Sequence, residues 1–416
     1  MSGGRRPTRA RWLSGYVVVL SAMAALAGMA IGHEHGGGWL PGVAPSRAEG
    51  GVPATAAEAV PDVPAPAPAP RRGPPAGGEP VTIAAAGDTM MGTPVHGLPP
   101  DDGAGFFDGV ADALVADLSL VNLEGTLSEG GVSKCPVVTE DSTDEEKAAA
   151  GSCFAFQTPP AFAPRLAEAG FTVATLANNH SYDFGIDGLD QTVAALENSG
   201  VAPTGLAGTT ATVQAGDLVV AVIGFAPYEW ADPLLDTESA ATRVAETAAA
   251  ADLVIVTFHG GAEGPEAAST PEGPETYLGE NRGDLRAFSR AVIDAGADLV
   301  VGHGPHVLRG MEVYEGRLIA YSLGNFAGYG TAFNLTGPLS VSMVLRATLA
   351  PDGTFLRGRI VPTVLTDDGL PAPGGDAIET VSRLSQEDFG AAAPRIGADG
   401  VIRPPAGTAP AQGVSG

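Results

Sequence analysis

Between Val81 and Phe326, seven apolar runs of seven to ten residues recur, separated by stretches with helical spacing. That alternation restricts the chain to a layered α/β fold. The runs are VTIAAAG (81–87), LSLVNLE (118–124), FTVATLAN (171–178), LVVAVIGF (218–225), DLVIVTFH (252–259), ADLVVGH (297–303) and RLIAYSLGNF (317–326), with helices expected near 106–117, 160–169, 186–198, 238–250 and 282–295. Two longer runs, PLSVSMVLRATL (338–349) and TFLRGRIVPTVL (354–365), alternate with the two-residue period of half-buried strands and read as an antiparallel pair. One domain over 81–366 is expected, built as two stacked β-sheets flanked by helices.

The flanks are different in character. Residues 1–32 hold Arg5, Arg6, Arg9 and Arg11 ahead of the uncharged apolar stretch Trp12–Gly32. A stretch of this length spans a bilayer as a helix, and the arginines place its start in the cytoplasm. A cleaved signal peptide is the alternative, and both readings export the rest of the chain. Residues 33–80 read as a Pro/Ala/Gly-rich linker whose PAPAPAP segment (64–70) favours extended polyproline geometry. The tail, 367–416, is Gly/Pro-rich and expected to be largely disordered, with one short helix near 376–386. Cys135 and Cys153 flank a polar, acidic stretch; in an oxidising compartment they would close it as a disulfide loop, two free thiols being the other reading.

A formal charge of −26, from 22 Lys+Arg against 48 Asp+Glu, argues against a nucleic-acid partner. It also repels anionic substrates, so a phosphoester or polycarboxylate substrate calls for a metal or a local basic patch.

Residues able to hold a metal sit at or just beyond strand ends: Asp88 in GDTMMG, Glu124 in NLEG, Asn178, Asn179 and His180 in NNH, His259 in FHGGAE, and His303 and His306 in GHGPH. C-terminal strand ends converge on one crevice in open α/β sheets, so these separated segments can meet. Taken alone, each has a plainer explanation. GDTMMG and NLEG suit tight turns with a capping carboxylate, and a lone histidine at a strand end is commonly a satisfied core residue. Together they make a mixture of carboxylate, amide and imidazole that suits Mn²⁺, Fe or Zn²⁺.

These blocks, with FQTPPAFAPRLAEAGFTVATLANNHSYDFG (156–185) and GADLVVGHGPHVLRGMEVYEGRLIAYSLGNF (296–326), resemble in type and order the CapA family, the capsule or poly-γ-glutamate synthesis proteins of the calcineurin-like metallophosphatase superfamily. The resemblance implies the four-layer metallophosphatase sandwich and a site for two divalent metal ions. It further implies metal ligation by Asp88, Glu124, Asn179, His259, His303 and His306, a substrate-facing catalytic His180, and Asp183 as its partner. A bridging metal pair would activate water and neutralise charge on a phosphoryl or carboxamide oxygen. The implied function is an extracytoplasmic metal-dependent hydrolase acting on a phosphoester or an anionic envelope polymer and held at the membrane by its N-terminal segment. The alternative is a non-catalytic polymer-binding or export factor. Two positions depart from the family pattern. Met90 stands where a histidine is common, two residues after the first aspartate, and Gly260 stands where an aromatic residue commonly follows the histidine matching His259.

Overall fold

The computed structural model describes residues 78–407 apart from 140–141, 145–146, 148–150, 152 and 331–332. The expected anchor at 12–32 and the expected linker up to residue 77 lie outside the described residues, among which no helix is long and apolar enough to cross a membrane.

The first half of the chain forms β1 (Val81–Met90), α1 (Ala111–Leu114), β2 (Leu118–Leu123), β3 (Thr126–Leu127), β4 (Gln157–Thr158), α2 (Ala163–Glu168), β5 (Val173–Thr175), α3 (Gly185–Asn198), β6 (Ala202–Thr204), β7 (Ala211–Ala215), β8 (Leu218–Ala226), β9 (Asp232–Pro233), α4 (Thr237–Ala248) and β10 (Leu253–His259). The second half continues with β11 (Glu275–Tyr277), β12 (Glu280–Gly283), α5 (Leu285–Ala295), β13 (Leu299–His303), β14 (Met311–Tyr314), β15 (Arg317–Ala320), β16 (Asn325–Gly328), β17 (Val341–Leu349), β18 (Phe355–Leu365), β19 (Pro371–Pro373), α6 (Ala377–Phe389), β20 (Arg395–Ile396) and β21 (Val401–Arg403).

Two large sheets result. The first has ten strands, in order β20-β21-β18-β17-β1-β2-β5-β6 with β16 on β1 and β19 on β18; the second has seven, in order β14-β15-β13-β10-β8-β7 with β9 on β8. Strands β1, β2, β5 and β6 run parallel, as do β8, β10, β13 and β15, while β17 and β18 join antiparallel. Parallel strands are covered on both faces and therefore read as continuous apolar runs. Ile83, Leu120 and Val173 of the first sheet meet Val222, Ile255 and Val301 of the second across the central layer. On the outer face of the first sheet, Val121 and Ala174 share a cluster with Leu166 of α2 and Leu196 of α3. On that of the second, Ile223 and Val256 share one with Val244 of α4 and Phe288 of α5. The order helix, sheet, sheet, helix is the four-layer arrangement expected.

Local sequence explains the helices. In α5, Leu285, Phe288, Ser289, Val292 and Ile293 form one buried stripe, and the Asp284 carboxylate caps the helix by accepting from the Ala287 N–H at 3.0 Å. Three expectations are corrected. The run 317–326 is two strands in different sheets, because the chain crosses between them at Gly324, whose φ of +73° permits the turn. The helix near 106–117 shrinks to Ala111–Leu114 behind short 3₁₀ turns. The tail is folded well past residue 366. α6 buries Ala377 and Val381 in the central core, and Pro371–Pro373, β20 and β21 add to the edge of the first sheet, where proline is tolerated.

A buried ion pair fixes the loop after β10. The Arg309 guanidinium donates to both Glu275 oxygens, at 2.8 and 2.7 Å, and Glu275 also accepts from the Ala262 N–H at 2.9 Å. Glu275→Ala leaves Arg309 buried and uncompensated, so urea unfolding should show a loss of about 3–5 kcal/mol. A change below about 1 kcal/mol would mean that water replaces the carboxylate.

Candidate metal centre

The C-terminal ends of the parallel strands of both sheets bring the site together. Asp88 comes from the end of β1, Glu124 follows β2, His259 and His303 are the last residues of β10 and β13, and His306 lies three residues further along the turn. Glycine is required on both sides of His303: a Cβ on Gly302, inside β13, would lie 2.2 Å from the Phe258 ring, and one on Gly304, in the turn at φ +113°, would lie 2.6 Å from the Gly260 carbonyl oxygen. Gly260 is fixed by close packing as well, since a Cβ there would sit 2.6 Å from Leu234 and 2.8 Å from the Arg282 carbonyl. The glycine departure from the family pattern therefore has a packing cause. Met90 is buried in an apolar cluster with Phe156 and Phe333, and its sulfur accepts from the Gly92 N–H.

One oxygen of Asp88, one of Glu124 and one nitrogen of His306 lie within 4.8 Å of one another. His306 Nδ1 stands 3.0 Å from Asp88 Oδ2 and 2.9 Å from Asn325 Oδ1, and its Nε2 is 3.6 Å from Glu124 Oε1. His303 Nδ1 is 3.3 Å from Asp88 Oδ1 and His259 Nε2 is 4.0 Å from Glu124 Oε1. Both of those contacts are too misaligned or too long to be hydrogen bonds. Asn179 is placed differently. Its side-chain oxygen is buried without a partner, while Asn178 anchors the turn by donating to Asn122 Oδ1 at 2.9 Å, and Asn122 donates to Asp88 Oδ1 at 2.8 Å.

Donor chemistry and burial together fit a divalent cation. Both Glu124 oxygens, both ring nitrogens of His259 and of His303, and the Asn179 oxygen are buried without hydrogen-bond partners. Stranding so many polar atoms in one place is expensive unless something binds them. Charge points the same way. Burial pushes the Glu124 carboxyl well above its usual range against the pull of His306. Burial also works to raise Asp88, but His303 and His306 outweigh it and hold that carboxyl well below its usual range. In His306 burial opposes the charge, yet Glu124, Asp88 and Glu263 push the imidazole up to about 10. Burial holds His259 well below its usual value. The two buried carboxyls and the raised His306 thus mark a place that favours positive charge.

His180 and Asp183 form a neighbouring pair. His180 Nδ1 is 2.8 Å from Asp183 Oδ2, which leaves Nε2 as the ring atom able to face a ligand. Asp183 also accepts from the Phe156 N–H at 2.6 Å and pairs with Lys134 Nζ at 2.6 Å. Burial lowers the His180 pKa against the opposing pull of Asp183. Lys134 adjoins Cys135, which is joined to Cys153, and Phe156 follows three residues later with its ring 4.4 Å from that of His180. The disulfide thus ties together the two chain segments that grip this pair. Reducing the bond between these cysteines, 18 positions apart, should cost about 3 kcal/mol in urea unfolding. Peptide mapping without reductant should recover a linked Cys135–Cys153 fragment; two free thiols would refute the pairing.

Sequence reasoning left several contributors unassigned. Glu263 Oε2 lies 3.7 Å from His306 Nε2, and Glu263 Oε1 pairs at 2.9 Å with the buried Arg282, whose Nη1 donates to the Tyr228 hydroxyl. Asn122, Asn325 and Glu263 lie within the motif blocks, so position was the available signal for them, whereas Lys134 lies outside those blocks, next to Cys135.

The chain matches the family model described as "Bacterial capsule synthesis protein PGA_cap" over residues 82–329. It is 32% identical over 182 residues to the PGA biosynthesis protein CapA of Bacillus subtilis, covering 39% of this chain and 43% of that protein. It is 28% identical over 321 residues to the capsule biosynthesis protein CapA of Bacillus anthracis, covering 72% and 71%. Among solved structures, a 5'-nucleotidase precursor from Thermus thermophilus aligns at 15% identity and TM-score 0.38, covering 75% of this chain and 60% of that one. The NAD nucleotidase NadN of Haemophilus influenzae aligns at 12% and 0.36, covering 74% and 55%. The family match takes in every candidate ligand from Asp88 to His306, and the chain belongs to the bacterial capsule synthesis protein PGA_cap family.

Proposed function

We propose that this protein is a metal-dependent hydrolase of metallophosphatase type that works outside the cytoplasm in the making or processing of an anionic envelope polymer. The observation that carries the reading is the convergence of Asp88, Glu124 and His306, ringed by the unpartnered nitrogens of His259 and His303. Asp88, Glu124, His259, His303 and His306 would hold the metal, with Asn179 contributing its buried oxygen. Bound there, a divalent cation supplies Lewis-acid charge neutralisation and an activated water.

The chain's own residues account for the rest. Asp183 holds the His180 ring so that Nε2 faces the ligand, where it moves a proton to or from the reacting group or steadies developing negative charge. Asn122 and Asn178 fix the first carboxylate and the His180 turn relative to one another, since Asn178 Oδ1 accepts from the His180 N–H at 3.0 Å. The disulfide supports an oxidising compartment. The apolar segment at 12–32 would supply the membrane attachment.

The test is elemental analysis of the full chain alongside hydrolysis of an aryl phosphate with and without Mn²⁺. Near-stoichiometric metal with Mn²⁺-stimulated turnover supports the hydrolase. Bound metal without turnover favours the second reading, an assembly or export factor, which the biosynthetic names of the two Bacillus relatives support. No metal after Mn²⁺ loading refutes the hydrolase reading.

A further inference from the structure

A second charged feature lies away from the cation cluster, on the outer face of the first sheet. Ile360 of β18 points into the central core, so Arg357 and Arg359 take the opposite face. The register sets Arg346 of β17 beside Arg359, and Val401 of β21 on its other side, with Arg403 two residues further along. These side chains and Thr82 line a groove of about 480 Å³.

Four arginines on one groove stand out in a chain where 48 acidic residues face 22 basic ones. With acids in such excess, a surface arginine should find a carboxylate, yet among the described residues none of these four forms a salt bridge. Arg346 donates to the Ala113 carbonyl at 2.8 Å and Arg359 to that of Asp399 at 3.1 Å. Asp117 and Asp399, at the rim, instead accept from the Thr82 and Val401 N–H groups at 2.7 and 3.2 Å. The groove therefore presents guanidinium donors without internal counter-charge.

We propose that this groove binds an extended polycarboxylate chain. Alternate residues along a strand lie roughly 6.7 Å apart and neighbouring strands about 4.8 Å apart, so the arginines form a compact patch that successive carboxylates of a flexible polymer can reach. The planar guanidinium fork matches a carboxylate two prongs to two. Duplex nucleic acid carries about one charge per 1.7 Å and is repelled more strongly by an acidic body than a polymer with one charge per monomer. A flat anionic membrane reaches the rim of a groove rather than its floor. Thr82 precedes Asp88 by six residues on β1, which separates groove and cluster by roughly 20 Å. The groove would thus hold the polymer while another stretch of it occupies the cluster, raising the local concentration of reacting units. The inference shares an anionic polymer with the proposed function but uses a separate site.

The test is binding of polyglutamate to the full chain, with monomeric glutamate and anionic phosphatidylglycerol vesicles as comparison probes. The wild type should bind the polymer in a salt-dependent way, far more tightly than the monomer, and keep binding it after chelator treatment. The double variant Arg357→Glu with Arg403→Glu should melt like the wild type and bind at least tenfold more weakly, with Arg357→Lys and Arg403→Lys in between. Equal binding by the charge-reversed variant, no binding by the wild type, or binding to vesicles in place of the polymer would each overturn the proposal. Absence of hydrolysis leaves these outcomes unchanged, so the two readings fail separately.

Discussion

Mn²⁺ should raise the melting temperature of the wild-type protein by several degrees, and Glu124→Gln should abolish most of that shift. A ligand present at a thousandfold excess over its dissociation constant stabilises the folded state by about 4 kcal/mol, worth about 8 °C at roughly 2 °C per kcal/mol for a large domain. Glu124 is fully buried, with neither oxygen hydrogen-bonded, and lies between His259 and His306. Glutamine keeps the shape and removes the anion, so the shift should fall below about 2 °C and turnover should drop by a hundredfold or more. The metal-free variant should be no less stable than the metal-free wild type, because the lost group is a buried carboxyl with no hydrogen-bond partner, whose burial offsets its 3.6 Å ion pair with His306. An undiminished Mn²⁺ shift would remove Glu124 from the ligand set. A metal-free variant weaker by several kcal/mol would make the carboxylate structural instead.

The sequence disclosed the strand-end positions of this site because its polar residues interrupt apolar runs. His259 and His303 are the last residues of mainly apolar strands and Asp88 lies two residues before the end of another, and the contrast is visible without coordinates. Asn122 is different: it lies inside β2 and is fully buried, so its tie to Asp88 depends on register between neighbouring strands. Glu263 sits in a glycine-rich loop that has no periodicity, and contacts distant in sequence, among them the Arg309–Glu275 pair and its own pairing with Arg282, set where that loop lies. The helix expected near 376–386 is present as α6, but the order of the rest of the tail was misjudged for a compositional reason. Glycine and proline lower the apparent order of 367–416, yet Ala377 and Val381 of α6 supply the apolar face that completes the central core. The arginine groove was invisible for the same reason as the Asn122 contact, since strand pairing alone brings Arg346, Arg359 and Arg403 to one face.

His180→Ala should separate metal binding from chemistry. The ring is buried and held by Asp183, itself fixed by the Phe156 N–H and by Lys134, while its backbone N–H is tied to Asn178. None of these contacts is a metal-ligand contact, so the variant should retain metal at the wild-type ratio and keep its Mn²⁺ melting shift. Proton transfer by a positioned side chain contributes about 10²–10⁴-fold to a rate, and kcat should fall by that amount with little change in metal content. Asp183→Asn should fall between the wild type and His180→Ala, because the ring keeps a hydrogen-bonding neighbour but loses the charge that orients it. Metal analysis and kcat on the same preparations decide the matter. A metal-free His180→Ala protein would make this histidine a ligand, and unaltered turnover would place the proton-handling group elsewhere.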